Sequence, residues 1–237
     1  MTCRVEWLEI AGERDAWRSI GLVVDDTGLV PLMGTSLRIV DADPARSIGG
    51  GERPGADDRR TIGTPDSDSG ADDARRGIVG WALSGVPTEM DGAIVDGGLA
   101  TTVVEPLGPL FASHDLGASG LDHVVVMTSD LERTTGAIAD ATGSPLKRIR
   151  EVGTMRQGFH RVGPGGLIVE VVERPEIPEG PGRFWGLVIN VDDLDGACER
   201  IGSGRVSPPK DAVQPGRRIA TVRDDVGLGL PVALMTA

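Results

Sequence analysis

A chain of 237 residues with 39% apolar and 25% charged side chains is long enough, and ordinary enough in composition, to bury a sizeable core. Its net charge of −12 excludes sequence-independent binding to nucleic acid or to an anionic membrane surface. Aromatics at 3%, with no Tyr, leave small aliphatic side chains to fill the core and offer no base-stacking surface.

At the N-terminus, MTCRVEWLEI has no basic segment followed by an apolar run, and no stretch approaches the roughly 20 apolar residues needed to cross a bilayer. Cys3 and Cys198 have neither zinc-like spacing nor a disulfide framework, so a cytoplasmic location is expected. Val5–Ile10 reads as a strand and Glu13–Ile20 as a short helix with Ala16, Trp17 and Ile20 facing inward. Leu29–Leu32 and Ser36–Val40 flank Met33-Gly34-Thr35 as a hairpin. Residues 44–76 hold almost no large apolar side chain beyond Ile48 and Ile62, which predicts a flexible insertion. Gly77–Leu83 follows as a strand, Pro87–Val95 as a helix, and Thr101–Glu105 and Leu110–His114 as strand candidates.

Past Gly117–Gly120 the pattern sharpens. Leu121–Met127 is an apolar run with a β-branched centre, a buried strand. Ser129 opens an S-D-L-E capping box, and the helix behind it aligns Leu131, Thr134, Ile138 and Ala141 before Gly143 ends it. Gly158–Val162 and Leu167–Glu173 flank Gly163-Pro164-Gly165-Gly166, a hairpin signal. Phe184–Val191 repeats the first strand; Asp192 or Asp193 caps a helix carrying Leu194, Ala197, Cys198 and Ile201 on one stripe, and Arg218–Val222 and Leu230–Met235 follow as strands. Four βαβββ-like modules thus begin near residues 4, 77, 121 and 184, giving a degenerate half over 1–116 and a better-preserved pair over 121–237.

The segments LDHVVVMTSDLER at 121–133, RQGFHRVGPGGLIVEVVE at 156–173 and LVINVDDLDGACERI at 187–201 resemble the vicinal oxygen chelate superfamily of glyoxalase, bleomycin-resistance and extradiol-dioxygenase-like proteins. The resemblance implies an α+β fold in which tandem βαβββ modules curl into open barrels, here with a degenerate N-terminal half. It implies a small-molecule ligand or substrate, a homodimer in some members, and one divalent metal (Zn, Mn, Fe or Ni) in many. His123 and Glu170 match the first-module metal ligands, whereas the second-module positions fall near Gly186 and Ala233, which cannot ligate. An enzyme of isomerase, lyase or dioxygenase type and a metal-free binding protein of the resistance type both remain open, as does a pseudoenzyme.

Strand alternation places the candidate site independently of the resemblance. Leu121, His123, Val125 and Met127 should share one face, as should Ile168, Glu170 and Val172. A regular hairpin across GPGG sets Arg161 opposite Ile168, Phe159 opposite Glu170 and Gln157 opposite Val172, with His160 on the other side. Gln157, Phe159, Arg161 and Arg156 are then ligand-binding candidates. Glu170, a lone carboxylate in an apolar strand, is the candidate general base, weighed against a plain salt bridge to Arg161 or Arg156. For His123 the alternative is a wall histidine satisfied by Glu170. His114 is taken as a loop histidine, and the glycine clusters lack the strand–loop–helix setting of a phosphate cradle.

Overall fold

The computed structural model describes residues 2–41 and 76–237; the expected flexible insertion lies, apart from Arg76, outside them. Four modules follow in chain order. The first is β1 (Arg4–Ala11), α1 (Arg14–Ser19), β2 (Leu29–Val30) and β3 (Ser36–Val40). The second is β4 (Gly77–Ser84), a 3-10 turn over Thr88–Met90, β5 (Ile94–Val95) and β6 (Leu99–Val103). The third is β7 (Ala118–Thr128), α2 (Leu131–Thr142), β8 (Arg148–Val152), β9 (Met155–Arg161) and β10 (Ile168–Glu173). The fourth is β11 (Arg183–Val191), α3 (Leu194–Ile201), β12 (Lys210–Asp211), β13 (Arg218–Thr221) and β14 (Val232–Thr236).

The pairing shows why four copies make two sheets. Within each module the first strand runs parallel to the last: β1 to β3, β4 to β6, β7 to β10 and β11 to β14. Between neighbouring modules the first strands pair antiparallel, β1 with β4 and β7 with β11. The result is a six-stranded sheet, β2-β3-β1-β4-β6-β5, and an eight-stranded sheet, β12-β13-β14-β11-β7-β10-β9-β8. Both are open, and the first two modules each carry two strands rather than three after the helix position among the described residues.

Alternation along each strand sends one set of side chains into a shared core. Val124, Val126, Val169, Val171, Leu187 and Ile189 from the larger sheet join Leu8, Ile10, Leu37, Trp81 and Leu83 from the smaller one in a single apolar cluster. The Trp81 and Phe184 rings meet edge to face, 5.6 Å apart at 69°, at that junction. Asp96, at the β5–β6 turn, accepts from Arg133 Nε (2.7 Å), Thr134 Oγ1 (2.5 Å) and the backbone N of Gly182 (2.8 Å), tying the second module to α2.

Three local expectations are corrected, and one alternative is decided. Pro87–Val95 makes one 3-10 turn over Thr88–Met90 and then enters β5, because Pro87 and Gly92 (φ 76) bracket too few residues for a helix. Leu110–His114 forms no strand. The cap of α2 is Asp130, whose side chain accepts from the backbone N of Arg133, while Ser129 turns away to Gly180. Asp193, not Asp192, caps α3.

Candidate functional site

The larger sheet's other face is where the chemistry-bearing side chains collect. Directly paired residues share a face, so the register defines three rows across the strands. One runs Arg161, Ile168, His123, Val188, Ala233. The next runs Arg148, Phe159, Glu170, Val125, Gly186. The third runs Arg150, Gln157, Val172, Met127, Arg183. The pairings of Arg161, Phe159 and Gln157 with Ile168, Glu170 and Val172 are those expected from the GPGG turn. Val125, Met127 and Val172 form a second apolar cluster on this face, edged by Met155, Ile177 and Trp185.

At its centre lies a chain of hydrogen bonds joined by one close ion-pair contact. Gln157 Nε2 donates to Glu170 Oε1 at 2.5 Å. Glu170 Oε2 stands 3.3 Å from His123 Nε2. His123 Nδ1 is 2.7 Å from Asp122 Oδ2. Arg217, from the fourth module, closes the chain with Nη1 on Asp122 Oδ1 and Nη2 on Asn190 Oδ1, both at 2.5 Å, and Nε on the carbonyl of Thr236 at 2.7 Å.

Two consecutive residues, Asp122 and His123, can meet side by side because β7 bulges there. Val188 pairs with His123 and Ile189 with Leu121, leaving Asp122 without a partner on β11. The bulge also flips the alternation. Leu121, expected beside His123, packs instead against the main core. Asp122 went unnoticed in the sequence, although two polar residues in succession ahead of VVV break the period of two and mark the bulge.

The electrostatics divide the two carboxyls. Burial raises the Glu170 carboxyl above its ordinary value, a rise opposed by His123, the Gln157 hydrogen bond and the arginines Arg150 and Arg148. For Asp122 burial also pushes upward, but hydrogen bonds from His123 and Arg217 outweigh it and hold the carboxyl at about 2. Asp122 is therefore an ionised acceptor, so His123 Nδ1 carries the proton between them and Nε2 is turned toward Glu170.

The remaining candidates sort by face. Arg161 lies in the His123 row but is exposed and donates to the carbonyl of Gly166. Arg156 is elsewhere: it pairs with Glu173, Glu132 and Glu151, on the side that α2 covers, so it does not join the ligand-binding group expected for it. Neither arginine ion-pairs with Glu170. His160 is buried against the Ser144 carbonyl, and burial lowers its pKa. His114 sits in the loop ahead of β7, as expected, and is held there: Nδ1 accepts from the backbone N of Val23 and Nε2 lies 2.7 Å from the carbonyl of Pro31.

The donor set does not suit a catalytic divalent ion, which takes three protein ligands as a rule. His123 Nε2 and Glu170 Oε2 are close enough to share one. The second-module positions add nothing: Ala233 has no donor, and a Cβ at Gly186 would lie 2.6 Å from the Pro231 carbonyl oxygen, so that position is closed to any side chain. Among the described residues no three His, Cys, Asp or Glu side chains converge, and Asp122 is committed to Arg217.

Comparison with known proteins fits this architecture. The sequence model of the Glyoxalase/Bleomycin resistance protein/Dioxygenase superfamily matches residues 120–230. A triple mutant of 4-hydroxymandelate synthase from Streptomyces coelicolor superposes at a TM-score of 0.60 with 15% identity, covering 99% of this chain and 92% of that one, a likeness of fold. Methylmalonyl-CoA epimerase from Mycobacterium tuberculosis superposes at a TM-score of 0.43 with 19% identity, over 51% of this chain and 89% of its own. No curated protein matches. Residues 120–230, across the third and fourth modules, thus carry the sequence pattern of the Glyoxalase/Bleomycin resistance protein/Dioxygenase superfamily, also called the vicinal oxygen chelate superfamily, and the chain as a whole shares the fold of the larger solved structure.

Proposed function

We propose that this protein moves a proton on a small oxygenated molecule with its own side chains, Glu170 acting as the base and His123 as its partner. The observation that carries the reading is the Gln157–Glu170–His123–Asp122 chain on a sheet face with apolar flooring. A carboxylate raised by burial is a stronger base than a free one, and it is matched to removing a proton from a carbon beside a carbonyl. In that step the C–H bond breaks, its proton goes to Glu170 Oε2, and the electron pair moves onto the carbonyl oxygen as an enolate. Returning the proton to the same carbon or to its neighbour gives epimerisation or isomerisation. His123 Nε2 faces Glu170 Oε2, and Asp122, held ionised by Arg217, orients the imidazole toward it.

A second reading, a metal-free binding protein, is favoured by the closed Gly186 position and the absent donor at Ala233. One experiment separates the two. Protein stripped with chelator is incubated in D2O with a panel of 2-oxo acids, β-keto acids and thioesters bearing an acidic α-hydrogen, and deuterium incorporation is followed by NMR. Exchange in at least one compound, abolished by Glu170→Gln, is expected. Exchange in none, or exchange unaffected by Glu170→Gln, would overturn the proposal in favour of binding alone.

A further inference from the structure

We infer that the molecule taken up on this face carries an anionic group, a carboxylate or phosphate, held by Arg148 and Arg150 on β8 about 10 Å along the sheet, two strand spacings, from its reacting end at Glu170. This rests on the reading above and deepens it by naming the substrate class. Arg148 heads the row that contains Phe159 and Glu170, and Arg150 heads the row that contains Gln157 and Val172, so both stand on the candidate site's face. Every residue of β8 is exposed, which leaves the two guanidiniums accessible.

Their bonding state distinguishes them from the arginines around them. Arg156 engages three glutamates, Arg217 is spent on Asp122, Asn190 and Thr236, and Arg218 grips Asp195 with both terminal nitrogens. Among the described residues neither Arg148 nor Arg150 has an ion-pair partner, in a chain with 36 acidic against 24 basic side chains. Arg148 is instead laid over the Phe159 ring, its central carbon 4.5 Å from the centroid. Such a stack orders the guanidinium through its flat face and leaves its edge of N–H donors free for a bidentate anion. Between anion and base lie Phe159 and Gln157, whose Oε1 is buried with no hydrogen-bond partner. The ligand this fits is elongated, anionic at one end and oxygenated at the other, with its connecting body over Phe159; the apolar patch of Val125, Met127 and Val172 borders the reacting end at Glu170.

The test uses probes of matched shape. 4-Phenylbutyrate, its neutral amide and 3-phenylpropyl phosphate are titrated into 15N-labelled protein, with amide and arginine side-chain shifts followed by NMR. In the wild type the two anions should bind at least 10-fold more tightly than the amide, with shifts centred on Arg148, Gln157 and Phe159; which anion is preferred separates carboxylate from phosphate. Arg148→Gln combined with Arg150→Gln, both at exposed positions, should bring the anions to the level of the amide, and Glu170→Gln should leave the anion preference in place. Equal binding of acid and amide, absence of binding, or an anion preference that survives the double variant would overturn the inference. Charge-selective binding without deuterium exchange would sustain it while sinking the proton-transfer reading; exchange without charge selectivity would do the reverse.

Discussion

Replacing Asp122 by Asn tests the least expected part of the site. The side chain is 8% exposed and bonded to both His123 and Arg217, and its carboxyl is held at about 2 against an ordinary 3.8. At about 1.4 kcal/mol per unit, that depression is worth about 2 kcal/mol of folding free energy at neutral pH. Because the folded-state value is depressed, the contribution is fully present above the unfolded value and is lost as pH falls from 3.8 towards 2. Urea unfolding of wild type and Asp122→Asn should therefore differ by about 2 kcal/mol at pH 7, with a fall in Tm of about 4–8 °C for a chain this size. The gap should narrow steadily below pH 4. A double-mutant cycle with Arg217→Gln should return coupling of the same order, since the two substitutions break one interaction. A gap below about 0.5 kcal/mol, or one that is constant from pH 7 to pH 3, would refute the assignment of Asp122 as an ionised, arginine-locked partner of His123.

Glu170 has the opposite sign. Its raised folded value means that wild-type stability falls as pH climbs from 4.5 through that value, so Glu170→Gln should gain stability relative to wild type above pH 5 and lose the advantage near pH 4; a gap independent of pH in denaturant titrations would contradict burial of the charge. Gly158→Ala sets a Cβ 2.9 Å from Thr135 Cγ2 and 3.2 Å from Leu131 and Leu146 methyls where α2 packs on β9, and should cost about 1–3 kcal/mol by calorimetry, with no loss regarded as refutation. Asp96→Ala strips the acceptor shared by Arg133, Thr134 and Gly182 and should cost about 2–4 kcal/mol, read as earlier urea unfolding; an unchanged midpoint would show that this tie carries no load.

Much of the larger sheet could be read from period and turn chemistry. The β-branched centre of LDHVVVM, the GPGG turn and the alternation in LIVEVVE fix one register, and that register carried Gln157, Phe159, Glu170 and His123 to one face. Two features escaped. The strand β8, RIREV, has no buried residue, so no apolar period marks it, and with it went the arginines that edge the site. The bulge at Asp122 was the other: a period-2 reading assumes an unbroken ladder, and one extra residue moved Leu121 to the core and Asp122 beside His123. Arg217 lies 95 positions from the Asp122 it holds, a tertiary contact with no local signal. In the N-terminal half, Pro87 and Gly92 cut the second module's helix to one turn, a stop signal that the expected Pro87–Val95 helix ran through.

The account stands most directly on the state of one carboxyl. Chelator-treated protein labelled with 13C at the glutamate carboxyls, with the Glu170→Gln variant supplying the assignment, gives the Glu170 titration by NMR. The account predicts a midpoint above the ordinary 4.5, moved higher still by His123→Ala, because His123 opposes the effect of burial. A midpoint at or below 4.5 would mean a permanently ionised structural carboxylate and would contradict Glu170 as the base.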